Sequence, residues 1–353
     1  MPDTDPFIIH FNARIHGMKS SLFSAGALEE FLTQGDLARL SDALLESPYR
    51  TELAEALTRF SGADAIEEAV SRNLVETFRT LIRRAQGDRK PLVAMFLTRW
   101  DLAAVKSLLR CQAHGVTGDE GLAWVLPGPT LSMPLLQDFL QYDSMESLVQ
   151  ALTAWNSSLC RCLVRALPAY QEGNDLAVLE EALDRTYFVT SVRALRSRED
   201  VDSSRLLGHF RAEIDRINLR LIFTALESGS ATALEGRLLT DGFLPQALLQ
   251  QMIGTGDSTG AMELLAGKRY GTLAEDLYQL LQTRRFSSME RFFERMLMHQ
   301  MRLEAHRYVF GLGVMMDYVW LKYNEVINLR LIARGLAGQL PAGRVRDEMY
   351  FVA

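Results

Sequence analysis

Apolar residues recur at i, i+3, i+4 and i+7 along nearly the whole chain, the spacing of helices with one buried face. LEEFLTQGDLARLSDALL from Leu28, AIEEAVSRNLVETFRTLIRRA from Ala65, LAVLEEALDR from Leu176 and SMERFFERMLMHQM from Ser288 all follow it. Three helix starts are predicted from an acid or serine with Glu three residues on: Asp64 with Glu67, Asp143 with Glu146, and Ser287 with Glu290. No alternating apolar and polar run flanked by turn residues suggests a sheet. YFVTSV, from Tyr187 to Val192, is β-rich in composition but lies inside a longer helical pattern. The expected fold is all-α.

The pattern also repeats at long range. Asp215-Arg-Ile-Asn218-Leu-Arg220-Leu-Ile matches Glu325-Val-Ile-Asn328-Leu-Arg330-Leu-Ile, and a degenerate copy runs Asp101-Leu-Ala-Ala104-Val-Lys106-Ser-Leu. A second element precedes each block: IEEAVSR from Ile66, LEEALDR from Leu179 and MERFFER from Met289, at distances that agree to within one position. Tyr49-RTELAEAL pairs in the same way with Tyr270-GTLAEDL, and Asp36 and Asp257 stand equally far before their tyrosines. Asn12-Ala-Arg14-Ile near the N-terminus repeats the Asn-apolar-Arg core without its acid.

These anchors divide the chain into three helical repeats, 1–115, 116–228 and 229–353, each of roughly 110 residues. The middle repeat is lengthened between Asp143 and Tyr170 by about one helix. Each Asn-apolar-base turn would end one repeat and open the next, so helices rather than flexible linkers would join them. On a helix the acid and the Asn three residues later share a face, whereas the base lies about 140° away at ~100° per residue. Asp215 and Asn218 therefore read as a polar ridge seeking partners on a neighbouring helix. Carboxylates in three equivalent places could also suggest a metal or catalytic triad, but Ala104 and the lack of a paired His weaken that reading.

Composition narrows the function further. The 353 residues carry 44 acids against 38 bases, a net charge of −6, without the basic stripe of a phosphate-tracking protein. Nucleic-acid binding is thereby disfavoured, and with 33 Arg but only 5 Lys there is no polybasic lipid-binding cluster. The most apolar window, Tyr308 to Leu321, is 14 residues long and contains Asp317, short of the ~20 residues a membrane span needs. The N-terminus lacks the basic and apolar regions of a signal peptide, and Cys111, Cys160 and Cys162 read as free thiols, so a cytoplasmic location is expected.

No motif supplies an active site. GTGDSTG, from Gly254 to Gly260, lacks the Lys-Ser/Thr ending and preceding strand of a phosphate loop and reads as a turn between helices. Gly311-Leu-Gly313 is too short for a dinucleotide fingerprint, and Cys160-Arg-Cys162 lacks a second Cys or His pair for zinc. His299 and His306 share a helical face with no third ligand, and Met296, Met298, Met301, Met315 and Met316 read as core filler. No catalytic residue, cofactor or metal is expected, and no nucleotide binding.

The stretch Tyr318-VWLKYNEVINLRLIARGLAGQLP resembles the C-terminal signature of the C subunits of the V/A-type (vacuolar/archaeal) rotary ATPases, whose eukaryotic counterparts are the d subunits. Asn12-ARIHGMKSSLFSAGALEEFL is similar to the same family's opening, so the resemblance spans the chain. Ala104 and Lys106 depart from the pattern. The resemblance implies three similar helical bundles around a pseudo-threefold axis, forming a funnel. It also implies a non-catalytic rotor subunit joining D/F-type central-stalk shaft subunits to the membrane proteolipid ring, peripheral on the cytoplasmic face, with membrane contact only through the ring. Two other classes fit less well. A peptide-binding helical-repeat adaptor would have shorter, more numerous repeats. An all-α diphosphate enzyme would need clustered aspartates.

Overall fold

The structure is a computed structural model and describes residues 6–34, 36–230, 234, 236–266, 270, 286–307 and 311–351. Among the described residues every regular element is a helix, as the 3.6-residue periodicity requires. The Tyr270-GTLAEDL element, apart from Tyr270 itself, lies outside the described residues, as do the first three residues of the apolar window beginning at Tyr308. Two compact units emerge, residues 1–176 with 302–353, and residues 177–301.

The first unit begins with α1 (Pro6–Lys19), α2 (Ala25–Gln34), α3 (Leu37–Leu45) and α4 (Arg50–Ala56), followed by the long α5 (Gly62–Arg84) and α6 (Arg89–His114). Short α7 (Gly118–Trp124) and α8 (Met133–Phe139) lead to the pair α9 (Met145–Trp155) and α10 (Ser157–Gly173). In the second unit α11 (Ala177–Arg196) packs along α12 (Val201–Ser228), with α13 (Gln246–Gly254) and α14 (Ser258–Ala266) against α12. Helix α15 (Phe286–Arg307) leads back to the first unit, where α16 (Leu312–Ala337) and α17 (Ala342–Glu348) complete it.

Helix α16 is the mast of the first unit. It packs most extensively on α5 and also touches α1, α2, α3, α6 and α17. It is apolar nearly all round, with Val314, Met315, Val319, Trp320, Val326 and Leu329 buried, which suits a helix surrounded on several sides. Trp100 of α6 meets Trp320 of α16 at 5.8 Å and Phe78 of α5 at 4.8 Å between ring centroids, and the Arg99 guanidinium lies 4.6 Å over Trp320. Each aromatic contact of this kind adds about 0.5–1.5 kcal/mol beyond simple area burial.

The caps differ from the sequence expectation. Ser61, not Asp64, stands at the N-cap of α5; Ser144, not Asp143, caps α9 and accepts from Ser147 N–H; Ser287 already lies inside α15. A short polar cluster offers several side chains able to satisfy the first free N–H groups, and the chain entry angle selects among them. YFVTSV lies within α11, and Gly254–Gly260 is the turn from α13 to α14, where the Asp257 carboxylate accepts from Gly260 N–H.

The acid-bearing helices close alike. Gly115 and Gly229, equally far beyond Asp101 and Asp215, adopt left-handed φ of 67° and 69°. The N–H of the next residue then reaches back to Cys111 O and Ala225 O, both at 2.9 Å, the bond expected of such a C-cap. At the same distance beyond Glu325 stands Gln339, held at φ 50° at a steric cost that glycine avoids.

Candidate functional site: three buried carboxylate junctions

The repeated acids become buried polar groups with several hydrogen-bond donors each. Asp101 on α6 is 2% exposed, and its Oδ1 accepts from Thr130 N–H at 3.0 Å and Leu131 N–H at 3.2 Å. Its Oδ2 faces the Thr130 hydroxyl at 2.9 Å. Asp215 on α12 accepts from Phe243 N–H and Leu244 N–H, one on each oxygen at 3.0 and 3.1 Å, and from Tyr270 O–H at 2.8 Å. Glu325 on α16 accepts from Phe23 N–H at 2.5 Å and Tyr49 O–H at 2.6 Å. In all three places a helix-borne carboxylate captures the main chain of a loop, and in two a buried tyrosine completes the set.

The asparagines work one turn along. Asn218 donates to Leu239 O at 2.9 Å and accepts from Leu239 N–H at 2.8 Å, so its amide pairs with a whole peptide edge. Asn328 makes the same reciprocal pair with Tyr350, at 2.8 and 3.2 Å. Asn12 donates to Gly311 O at 3.2 Å. In the second unit one continuous segment, 239–244, serves both Asn218 and Asp215. At Glu325 the two roles are divided, with Tyr350 on Asn328 and Phe23 on Glu325, so the N-terminal and C-terminal segments jointly supply that segment.

The expectation that these polar ridges seek a neighbouring helix is corrected by this geometry. Their partners are loop main-chain groups, because helix-interior N–H and C=O groups are already paired and only loops offer free ones. Sequence reasoning also passed over Gly128 and Gly242. Gly128 follows Asp101 at the same interval at which Gly242 follows Asp215, and a Cβ on either would overlap that carboxylate. That constant spacing was the available signal. An arginine steadies each of these loops: Arg79 donates to Pro129 O at 3.1 Å, and Arg211 donates to Gly242 O at 3.0 Å while lying 4.4 Å over the Phe243 ring.

The bases of the motif do other things. Arg330 pairs with Glu67 of α5 at 3.4 Å, a carboxylate that Arg334 also grips. Burial holds the Arg330 pKa below its ordinary value, with Glu67 opposing. Arg14 is exposed, and Lys106 and Arg220 are half-buried. Lys322 is the feature peculiar to the Glu325 junction. It is 3% exposed, 3.3 Å from Glu325 Oε1, with its ammonium 3.8 Å from the Tyr49 ring centroid. Burial pulls its pKa below the usual lysine value, and Glu325 pulls the other way. The Tyr49 hydroxyl is pushed well above its usual range, first by burial and then by Glu325. A cavity of about 200 Å³ lies alongside, lined by Lys19, Phe23, Arg302, Asn324, Glu325 and Tyr350.

Chemically these are clasps. Each carboxylate accepts from three donors that fix it in place. Among the described residues no three His, Cys, Asp or Glu side chains gather as a metal site. The free thiols Cys111 and Cys160 are buried, and burial raises the Cys160 pKa to about 12. Met296, Met298, Met301, Met315 and Met316 lie in the core, and the His306 ring nitrogen rests 2.7 Å from Arg302 O.

The junctions are electrostatically unequal, and this gives a test. Burial raises the Asp101 pKa to about 6, against the opposing pull of its Thr130 and Leu131 hydrogen bonds and Arg79. The folded chain thus holds this proton more tightly than the unfolded chain, so Asp101 costs stability as pH rises from about 4 to about 6. Asn at position 101 keeps its oxygen on both N–H groups and donates its amide to the Thr130 hydroxyl, which can turn to accept. Asp101→Asn should therefore match the parent at pH 4 and exceed it at pH 7 by about 1–3 kcal/mol in denaturant unfolding. A loss of stability at pH 7 would mean that the carboxylate charge itself holds the loop. Asp215→Asn has no such escape, because each Asp215 oxygen receives a main-chain N–H.

Comparison with known proteins gives a consistent assignment. The family model described as ATP synthase (C/AC39) subunit matches residues 11–348. The chain is 26% identical over 344 residues to the C subunit of the A-type ATP synthase of Methanococcoides burtonii, covering 96% of this chain and 93% of that protein. It is 27% identical over 349 residues to the C subunit of the V-type ATP synthase of Deinococcus radiodurans, covering 99% and 92%. With the A-type C subunit of Methanocaldococcus jannaschii it shares 23% identity over 341 residues, 96% and 85%.

Proposed function

We infer the role of this protein from the family to which it belongs, the ATP synthase (C/AC39) subunits, which contribute a structural and not a catalytic part of A/V-type ATP synthases. It is the socket of the rotor. It receives the central-stalk shaft, made of D/F-type subunits, sits on the proteolipid ring, and passes torque between ATP hydrolysis or synthesis and ion translocation. It lies on the cytoplasmic face, held there by the ring; no described helix is long and apolar enough to cross a membrane. Its three repeats, 1–115, 116–228 and 229–353, would stand around a pseudo-threefold axis as a funnel.

The observation that carries this reading is the recurring clasp. A torque coupler must resist shear between its helices, and buried carboxylates at Asp101, Asp215 and Glu325 each lock a loop to a long helix. Asn12, Asn218 and Asn328 add further pins, and Arg330 ties α16 to α5, whereas Arg14 marks its turn on an exposed face and Lys106 and Arg220 are half-buried. Such groups stabilise a single arrangement rather than perform chemistry. Native mass spectrometry of the detergent-solubilised membrane complex tests the assignment. One copy of this chain is expected, retained in subcomplexes that contain both ring and shaft. Release with neither, or binding to free peptides alone, would favour a helical-repeat adaptor.

A further inference from the structure

The first unit carries a groove of about 1050 Å³ between the α4–α5 corner and the α7–α8 segment, the segment whose loop Asp101 clasps. Two of its carboxylates are neutralised: Glu55 pairs with Arg72 at 2.6 Å, and Glu67 is held by Arg330 and Arg334. Asp64, Glu68, Asp119 and Glu120 also line it, and among the described residues no ion pair ties them. Against these four stands Arg59, whose guanidinium lies 5.4 Å over Phe60. Phe60 lines the groove at 39% exposure, with Leu122, Val125 and Met133 as further apolar lining.

We propose that this groove seats a cationic amphipathic helix of another protein chain. The volume suits roughly two turns of helix, at ~10 Å diameter and ~1.5 Å rise per residue. The four carboxylates would meet lysines or arginines on one face, while Phe60, Leu122 and Met133 would meet the apolar face, the helix-in-groove arrangement. Other occupants fit worse. Phosphate groups and anionic lipid would be repelled by the same carboxylates, and no described cluster of ligands suits a metal. A second copy brings its own net charge of −6. The inference goes beyond the rotor reading and does not depend on it, since the isolated full chain suffices for the test.

The experiment titrates the purified full chain with an 18-residue amphipathic peptide of lysine and leucine, in a variant carrying a photo-crosslinking amino acid at Phe60. A cross-link from position 60 to the peptide is expected. Asp64→Lys with Glu68→Lys should weaken binding by more than about tenfold, and rising salt should weaken it in the parent. Glu146→Lys with Glu172→Lys, an equal charge change at exposed positions outside the groove, should leave affinity within about twofold. If the first pair fails to fold, Asp119→Lys with Glu120→Lys on exposed α7 gives the same test. Equal weakening by the groove and control pairs, or a cross-link that is absent, would overturn the proposal. In the solubilised complex the same cross-linker should capture a Lys- or Arg-rich helix of a neighbouring subunit. Capture of a second copy or of lipid there would also overturn it.

Discussion

Glu325→Gln is expected to destabilise the fold by about 3–5 kcal/mol near neutral pH, the usual cost of stripping one partner from a buried ion pair. The change is nearly isosteric, so the loss would come from charge and hydrogen bonding and not from packing. Glu325 accepts on both oxygens: Phe23 N–H on Oε2, and Tyr49 O–H with Lys322 on Oε1. A glutamine turned with its amide toward Phe23 sets two donors against each other. Turned the other way it lets Tyr49 accept, but confronts the Lys322 ammonium with a further donor. No orientation serves all three, and a lysine 3% exposed loses its contacting counter-charge and keeps only the influence of Glu52.

The pH dependence carries a sign. Burial already holds the Lys322 pKa below its unfolded value, and losing Glu325 removes the larger of the two carboxylate effects that raise it, leaving only Glu52. The unfolded variant then binds more protons than the folded one between the lowered pKa and about 10.4, so stability rises with pH in that window. Lys322→Met added to Glu325→Gln removes the stranded charge and should restore at least half of the loss, since replacing both members of a buried pair is far milder than removing one. Denaturant unfolding of parent, single and double variants across pH measures both effects. A single variant within about 1 kcal/mol of the parent at every pH would show that no buried ion pair closes this junction.

The fold was legible where its causes are local. A 3.6-residue period sustained over many turns fixes a helix whatever it packs against, so α5, α11 and α15 could be read from spacing alone. Caps were less legible, because Asp143 and Ser144 compete for the same free N–H groups, and Ser61 stands at the N-cap of α5 without a side-chain capping bond. Within the site the acids, asparagines and both tyrosines stood out as repeats, and the structure places the Tyr49 and Tyr270 hydroxyls on Glu325 and Asp215. Their loop partners did not stand out. A main-chain N–H is the same at Thr130, Phe243 and Phe23, so no residue type marks it. Only Gly128 and Gly242, kept small where the carboxylate approaches, leave a trace in the sequence. The groove was illegible for a different reason. Its carboxylates come from the α4–α5 corner and from α7, with the whole of α6 between them, and only the folded chain brings them together.

If this chain carries torque, removing it should separate two activities that the intact machine links. The catalytic chemistry lies elsewhere in the complex, as the family's non-catalytic character requires. Detached headpieces should therefore keep hydrolysing ATP at close to the normal rate. Ion movement needs the ring to turn with the shaft, and a socket held by many modest polar contacts, each worth ~0–1 kcal/mol, has no substitute once it is gone. Surface charge substitutions taken singly should weaken this attachment only slightly, and high salt should weaken it generally. The decisive measurement is ATP hydrolysis alongside ATP-driven ion transport, in membranes from cells lacking the chain and from cells in which it has been restored. The account predicts retained hydrolysis, transport at background without the chain, and recovery when the full chain is supplied. Transport that remains normally coupled to hydrolysis in its absence would contradict the socket role.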